Sequence, residues 1–157
     1  MKTSKQGMDF IKEMEGCKLF AYRDSVGVVT IGIGHTKDVK MGMAITQQQA
    51  EAFLAEDLKS VERTLNNCGV NFTQAQFDAL ASWVFNLGSD AFDGSTLKKK
   101  ILARASDEEI CDQIIRWTRA GGKVLLGLQK RRIREANMFY GKDVYYLDKF
   151  NNIMKKI

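Results

Sequence analysis

Three residues near the start of the 157-residue chain, Glu15, Asp24 and Thr30, carry the groups that hydrolysis of a glycosidic bond uses. That reaction needs a carboxylic acid still holding its proton near neutral pH, to protonate the leaving oxygen. It also needs an ionised carboxylate across the sugar, to handle water or the cation-like transition state. Glu15 falls in the last turn of an expected first helix, where the helix dipole disfavours a carboxylate by up to about 1 kcal/mol. Asp24 lies nine residues later in an expected hairpin turn, and Thr30 six further on the returning strand. A turn folded back over the helix end would line one cleft with all three. Spacing alone does not decide the matter. The chain holds 19 acids, and a surface glutamate, a turn-forming aspartate and a strand-forming threonine account for the same residues.

Other candidate motifs fail on their own terms. Gly32-Ile33-Gly34-His35 follows a strand, but the third glycine of a dinucleotide fingerprint would fall on Lys37 and no parallel βαβ pattern follows. Gly121-Gly122-Lys123 is no phosphate loop, with Trp117 in place of the leading glycine and Val124 where a magnesium-binding hydroxyl belongs. The run Lys130-Arg131-Arg132-Ile133-Arg134-Glu135 reads as a solvated helix face, with phosphate contact as the alternative. One histidine, His35, and three scattered cysteines, Cys17, Cys68 and Cys111, are too few for a zinc site. The cysteines are expected as reduced, mostly buried thiols, and His35 as a packed, hydrogen-bonded residue.

The chain has no proline, so glycine and polar caps mark the elements that must position these groups. A helix beginning after Ser4 would bury Met8, Ile11 and Met14 and end at Gly16. Leu19 to Tyr22 and Val28 to Ile33 read as two strands about the turn Asp24-Ser25-Val26-Gly27, the only sheet signal. Capping boxes at Thr46/Gln49, Thr73/Gln76 and Ser106/Glu109 open helices, the second of them apolar on most sides and therefore central. Further helices are expected over 96–104, 125–140 and 143–156. In the last of these Tyr146, Leu147, Phe150, Ile153, Met154 and Ile157 fall on one stripe, for packing on the helical body or contact with an anionic membrane.

Length and the absence of any linker predict a single domain over 1–157, with a small lobe at about 17–45 and a helical lobe at 46–157 joined by the first helix at 4–16. The expected class is α+β, mostly α, with a small antiparallel β-hairpin lobe, a larger helical lobe and a cleft between them. No apolar run approaches the roughly 18 residues of a membrane-spanning helix. Met1 to Gln6 has charge with no apolar stretch behind it, which predicts synthesis in a cytoplasm without a secretory signal. Residues 1–97 carry nine Lys/Arg against twelve Asp/Glu, and residues 98–157 fifteen against seven. The second half therefore favours an anionic partner, and nucleic acid, acidic lipid and a cell-wall polymer all satisfy it.

The segments Phe10-Ile11-Lys12-Glu13-Met14-Glu15-Gly16, Ala21-Tyr22-Arg23-Asp24 and Thr30-Ile31-Gly32-Ile33-Gly34-His35-Thr36 occur in that order. Val84-Phe85-Asn86-Leu87-Gly88, Phe92-Asp93-Gly94-Ser95-Thr96-Leu97, Trp117-Thr118-Arg119-Ala120-Gly121-Gly122-Lys123 and Gly127-Leu128 follow, then Arg131, Arg132 and Glu135. Together they resemble the phage-type lysozymes of glycoside hydrolase family 24, the bacteriophage endolysins. The resemblance implies a lysozyme-like fold and a muramidase cutting the β-1,4 bond between N-acetylmuramic acid and N-acetylglucosamine in peptidoglycan. By the same resemblance Glu15 is the general acid, Asp24 and Thr30 position the attacking water with inversion, and Phe85 and Asn86 stand at the cleft wall. No cofactor or metal is implied, and the expected partner is peptidoglycan rather than nucleic acid, met by a monomer. Anionic membrane or lipopolysaccharide contact is expected of the C-terminal helix, and release to the wall through a separate holin. Residues 142–157 extend past the matched region.

Overall fold

The computed structural model describes residues 1–157 as seven helices and three two-stranded antiparallel sheets. The chain is mostly α, with small hairpins. The helix α3 (Gln74–Leu87) runs through the centre, opened by its Thr73/Gln76 capping box, with Phe77, Leu80, Ala81, Trp83 and Val84 all sealed from solvent. Helices α1 (Lys5–Glu15), α2 (Gln47–Asn66) and α7 (Leu126–Tyr140) pack around it. Shorter helices α4 (Ser89–Asp93), α5 (Thr96–Leu102) and α6 (Asp107–Ile114) complete the helical body.

The placement of α1 rests on a carboxylate of α3. Ser4 caps α1 by accepting from the Gly7 amide, and its own amide and hydroxyl donate to Asp78. A Cβ at Gly7 would stand 2.6 Å from Asp78 Cγ, so only glycine lets the two helices approach this closely. The buried stripe of α1 is Gly7, Phe10 and Ile11, whereas the expected Met8 and Met14 are only partly covered. The stripe of α2, Ala50, Leu54, Leu58, Val61 and Leu65, is buried as its periodicity predicts.

The first hairpin pairs β1 (Lys18–Arg23) with β2 (Val29–Gly32), setting Tyr22 opposite Thr30 and Arg23 opposite Val29. Its second strand is fastened to α2. Ile31 and Ile33 are buried, and Gly32 lies against Ala50 at a φ of 63° with no room for a side chain. His35, 8% exposed, stacks on Phe53 at 4.2 Å, with Nδ1 2.7 Å from Asp57 Oδ2. It is a packed and hydrogen-bonded residue, as expected.

Three expectations are corrected. Residues 143–156 form no helix: β5 (Tyr145–Leu147) and β6 (Ile153–Lys155) make a hairpin, with Tyr146 opposite Met154. Gly141, at a φ of 87°, ends α7, and Asp148 Oδ1 accepts from the Phe150 and Asn152 amides to turn the chain back. Asn137 then ties the segment down, accepting from the Val144 and Tyr145 amides and donating to the Tyr145 carbonyl. The apolar stripe that read as helical is strand alternation folded over, with Tyr145, Leu147 and Ile153 turned to the core. The first hairpin is not the only sheet, since β3 (Arg119–Ala120) and β4 (Lys123–Val124) also pair, around Gly121 and Gly122, both at positive φ. The cysteines are free and mostly buried, as expected, with Cys68 and Cys111 inside and Cys17 exposed. Burial pushes the Cys111 thiol up to about 12. The basic run of α7 is not a solvated face: Arg131, Arg132 and Glu135 are buried.

A chain ending at Gly141 loses buried Val144 and Tyr145, and with them the pairing of Lys155 to Glu108 and Asp112. It should unfold roughly 10 °C earlier, given that removing one buried aromatic costs about 3–5 kcal/mol. An unchanged melting curve by circular dichroism would mean that the hairpin does not hold the fold.

Candidate active site

Glu15 is the last residue of α1, followed by Gly16 at a φ of 71°, whose amide closes the helix on the Lys12 carbonyl. Its carboxylate is partly covered, with 19% of the side chain exposed. Oε1 lies over Gly34, where a Cβ would come within 2.8 Å of it and within 3.2 Å of Phe85 Cε1. Oε2 accepts from Arg131 Nη1 at 2.5 Å. Glu15 is therefore held from two sides, by backbone that only glycine can supply and by a guanidinium from α7.

Asp24 closes the first hairpin turn. Its Oδ1 accepts from the amides of Val26 at 3.0 Å and Val28 at 2.8 Å, and its own amide donates to the Val28 carbonyl. Oδ2 makes no hydrogen bond within the protein. One carboxylate oxygen serves the fold and the other is open for chemistry. Thr30, 4% exposed, donates its hydroxyl proton to the Val28 carbonyl at 2.9 Å, so its oxygen is left as an acceptor. Tyr22, opposite Thr30, links these groups electrostatically: burial pushes its phenol up, and the charges of Glu15 and Asp24 push it further. Both carboxylates thus act on one side chain.

The two expected wall residues differ in their surroundings. Phe85, half-buried, touches the Gly34 and Glu15 region and lines a cavity of about 390 Å³ together with Gly34, Thr36 and Ser89. Asn86 is engaged from behind, where its Oδ1 accepts from Arg132 Nη2 at 2.7 Å.

Sequence reasoning missed the ionic layer beneath Glu15. Arg131 donates Nε to Glu135 Oε2 and to Ser82 Oγ, each at 3.3 Å, and Nη2 to the Ser82 carbonyl at 3.2 Å. Arg132 Nε stands 2.7 Å from Glu135 Oε1, and Ser82 Oγ donates to Glu135 Oε2 at 2.5 Å. A signal for this layer existed. Leu128, Arg132, Glu135, Ala136 and Phe139 recur at helical spacing, so the charges share the apolar face of α7 instead of opposing it. No group of histidine, cysteine and carboxylate side chains is arranged to hold a metal ion.

Gly34→Ala should cost about 1–3 kcal/mol of stability, because the position has a φ of 65°. It should also lower cell-wall lysis at least tenfold, since its methyl group displaces the Glu15 carboxylate and misplacements of about 1 Å cost up to 10²-fold. Activity equal to wild type in a folded protein would dissociate Glu15 from its seat on Gly34.

The phage lysozyme family model matches residues 12–135. The endolysin of Acyrthosiphon pisum secondary endosymbiont phage 1 is 43% identical over 148 residues, covering 88% of this chain and 98% of that protein. Among solved structures, the endolysin from Escherichia coli O157:H7 phage FAHEc1 superposes with a TM-score of 0.80 at 38% identity, over 88% of this chain and 93% of that one. The muramidase domain of SpmX from Asticaccaulis excentricus gives 0.80 at 34% identity, over 88% and 97%. The match runs from the last turn of α1 to Glu135 on α7, the stretch that holds Glu15, Asp24, Thr30 and Arg131. The chain belongs to the phage lysozyme family and is a glycoside hydrolase of the lysozyme type.

Proposed function

We propose that this protein is an endolysin-type muramidase that hydrolyses the β-1,4 bond between N-acetylmuramic acid and N-acetylglucosamine in peptidoglycan, with Glu15 as general acid and Asp24 and Thr30 holding the water. The observation that carries the reading is the hydrogen-bond commitment of the last two residues. Thr30 has given its proton to Val28, and Asp24 keeps Oδ2 open. A water placed between two acceptors donates both protons and turns a lone pair toward the sugar, as a nucleophile must. The same geometry favours inversion, because a retaining enzyme brings the second carboxylate close enough to bond the sugar itself.

The polymer lies in the groove between the first hairpin and the helical body, along Phe85 and Asn86, in one domain acting as a monomer. The excess of basic residues after residue 97 steers the enzyme to an anionic wall. No helix is long and apolar enough to cross a membrane. By its likeness to the endolysins, the enzyme would reach the wall through a separate holin. Exposed Phe150 beside Lys149, at the tip of the last hairpin, is where acidic lipid or lipopolysaccharide would be met.

Glu15→Gln cannot donate the proton and should lose 10²- to 10⁴-fold in rate while keeping its circular dichroism, as expected for loss of general acid catalysis. Near-normal clearing of permeabilised cells by that variant would remove Glu15 from the mechanism. Proton NMR on fresh digests of purified peptidoglycan should show the α-anomeric reducing end first. A β-anomer first would refute inversion, and anhydro ends would make the enzyme a lytic transglycosylase. Thr30→Glu should cut wild-type turnover sharply by filling the water position.

A further inference from the structure

Glu135 touches no part of the cleft, yet it is completely buried, and its partners are Arg131, Arg132 and Ser82. All three donate to Oε2, Arg132 through Nη2, while Oε1 stands 2.7 Å from Arg132 Nε as an ion pair. That is the environment of an ionised carboxylate, since a protonated one would need an acceptor for its own hydrogen. Burial holds the Glu135 carboxyl above the usual carboxylate range, against the opposing pull of the two guanidiniums and the Ser82 hydroxyl.

The charges are arranged in series. Glu15, Arg131, Glu135 and Arg132 alternate in sign from the cleft inward, each in contact with the next. The other groups about Glu15 stand apart from this line. Tyr22 on β1 faces it together with Asp24, whereas on the α2 side His35 is held by Asp57. On α1 itself, Glu13 is paired with Arg134 and Lys12 with Glu51. From α3 come only Phe85 and the polar, uncharged Ser82.

We infer that Glu135 is a positioning residue for catalysis: by holding and partly neutralising Arg131 from behind, it sets how much positive charge Glu15 faces, and so the pH range over which Glu15 can act as an acid. The inference rests on the reading of Glu15 as the general acid. Without Glu135, two uncompensated guanidiniums lie behind the cleft and favour the carboxylate over the acid. Without Arg132, the whole charge of Glu135 falls to Arg131 and the balance tips the other way.

The test is the pH–rate profile of peptidoglycan hydrolysis by the full chain, with the Glu15 side-chain carboxyl followed in parallel by carbon NMR titration. In Glu135→Gln the alkaline limb and the Glu15 titration should both move down by about one pH unit. In Arg132→Met both should move up, which keeps the test alive if the first variant does not fold. In the double variant the alkaline limb and the Glu15 titration should return close to their wild-type positions, whatever its absolute rate. A uniform loss of rate with both limbs unmoved would overturn the inference, leaving Glu135 with a structural role only. Movement of the Glu15 titration without the alkaline limb would uphold the coupling and instead overturn Glu15 as the acid.

Discussion

Taking a guanidinium out of water is among the costlier things a fold does, and it is tolerated only where the N–H groups find acceptors. Arg131 meets that condition by reaching across three helices, to Glu15 at the end of α1, to Ser82 on α3 and to Glu135 one turn on in α7. A shift of α1 or α3 relative to α7 would strand a buried charge. The helical body is thereby locked in the arrangement that presents Glu15, and the stability of the core and the aim of the acid rest on one side chain.

The small lobe follows a different rule, because it has almost no core of its own. It borrows stability from α2 through Ile31, Ile33, Gly32 and the His35–Asp57–Phe53 contact, and it closes its turn with Asp24. A residue proposed for chemistry is also the one that shapes the loop carrying it.

What could be read in the chain was whatever depends on neighbours in sequence. Capping boxes at Thr46, Thr73 and Ser106 fixed three helix starts, and the β-rich runs around Asp24 fixed the hairpin. Glu15, Asp24 and Thr30 are singled out only by the motifs around them; their spacing alone does not separate them from surface acids and turn formers. Arg131, Arg132 and Glu135 were visible as a string of charge, yet their burial depends on Ser82 and Glu15, some 50 and 116 residues away. The last hairpin was misread because apolar positions folded about Asp148 mimic helical periodicity over a dozen residues.

Between Glu15 and the first residue of β1 lie only Gly16 and Cys17. Glu15 is thus anchored in the helical body, through Arg131 and the Asp78 clasp, while Asp24 and Thr30 ride on the hairpin. The residue proposed as proton donor and those proposed to hold the water sit on elements joined by two residues, one of them a glycine at positive φ. That joint has no freedom to swing, because β2 is fastened to α2 through Ile31, Ile33 and Gly32, and Glu15 itself rests on Gly34 of the small lobe. The span between Glu15 and the hairpin turn is therefore set at a distance, by the seat of β2 on α2 and not by the two residues that connect them in the chain.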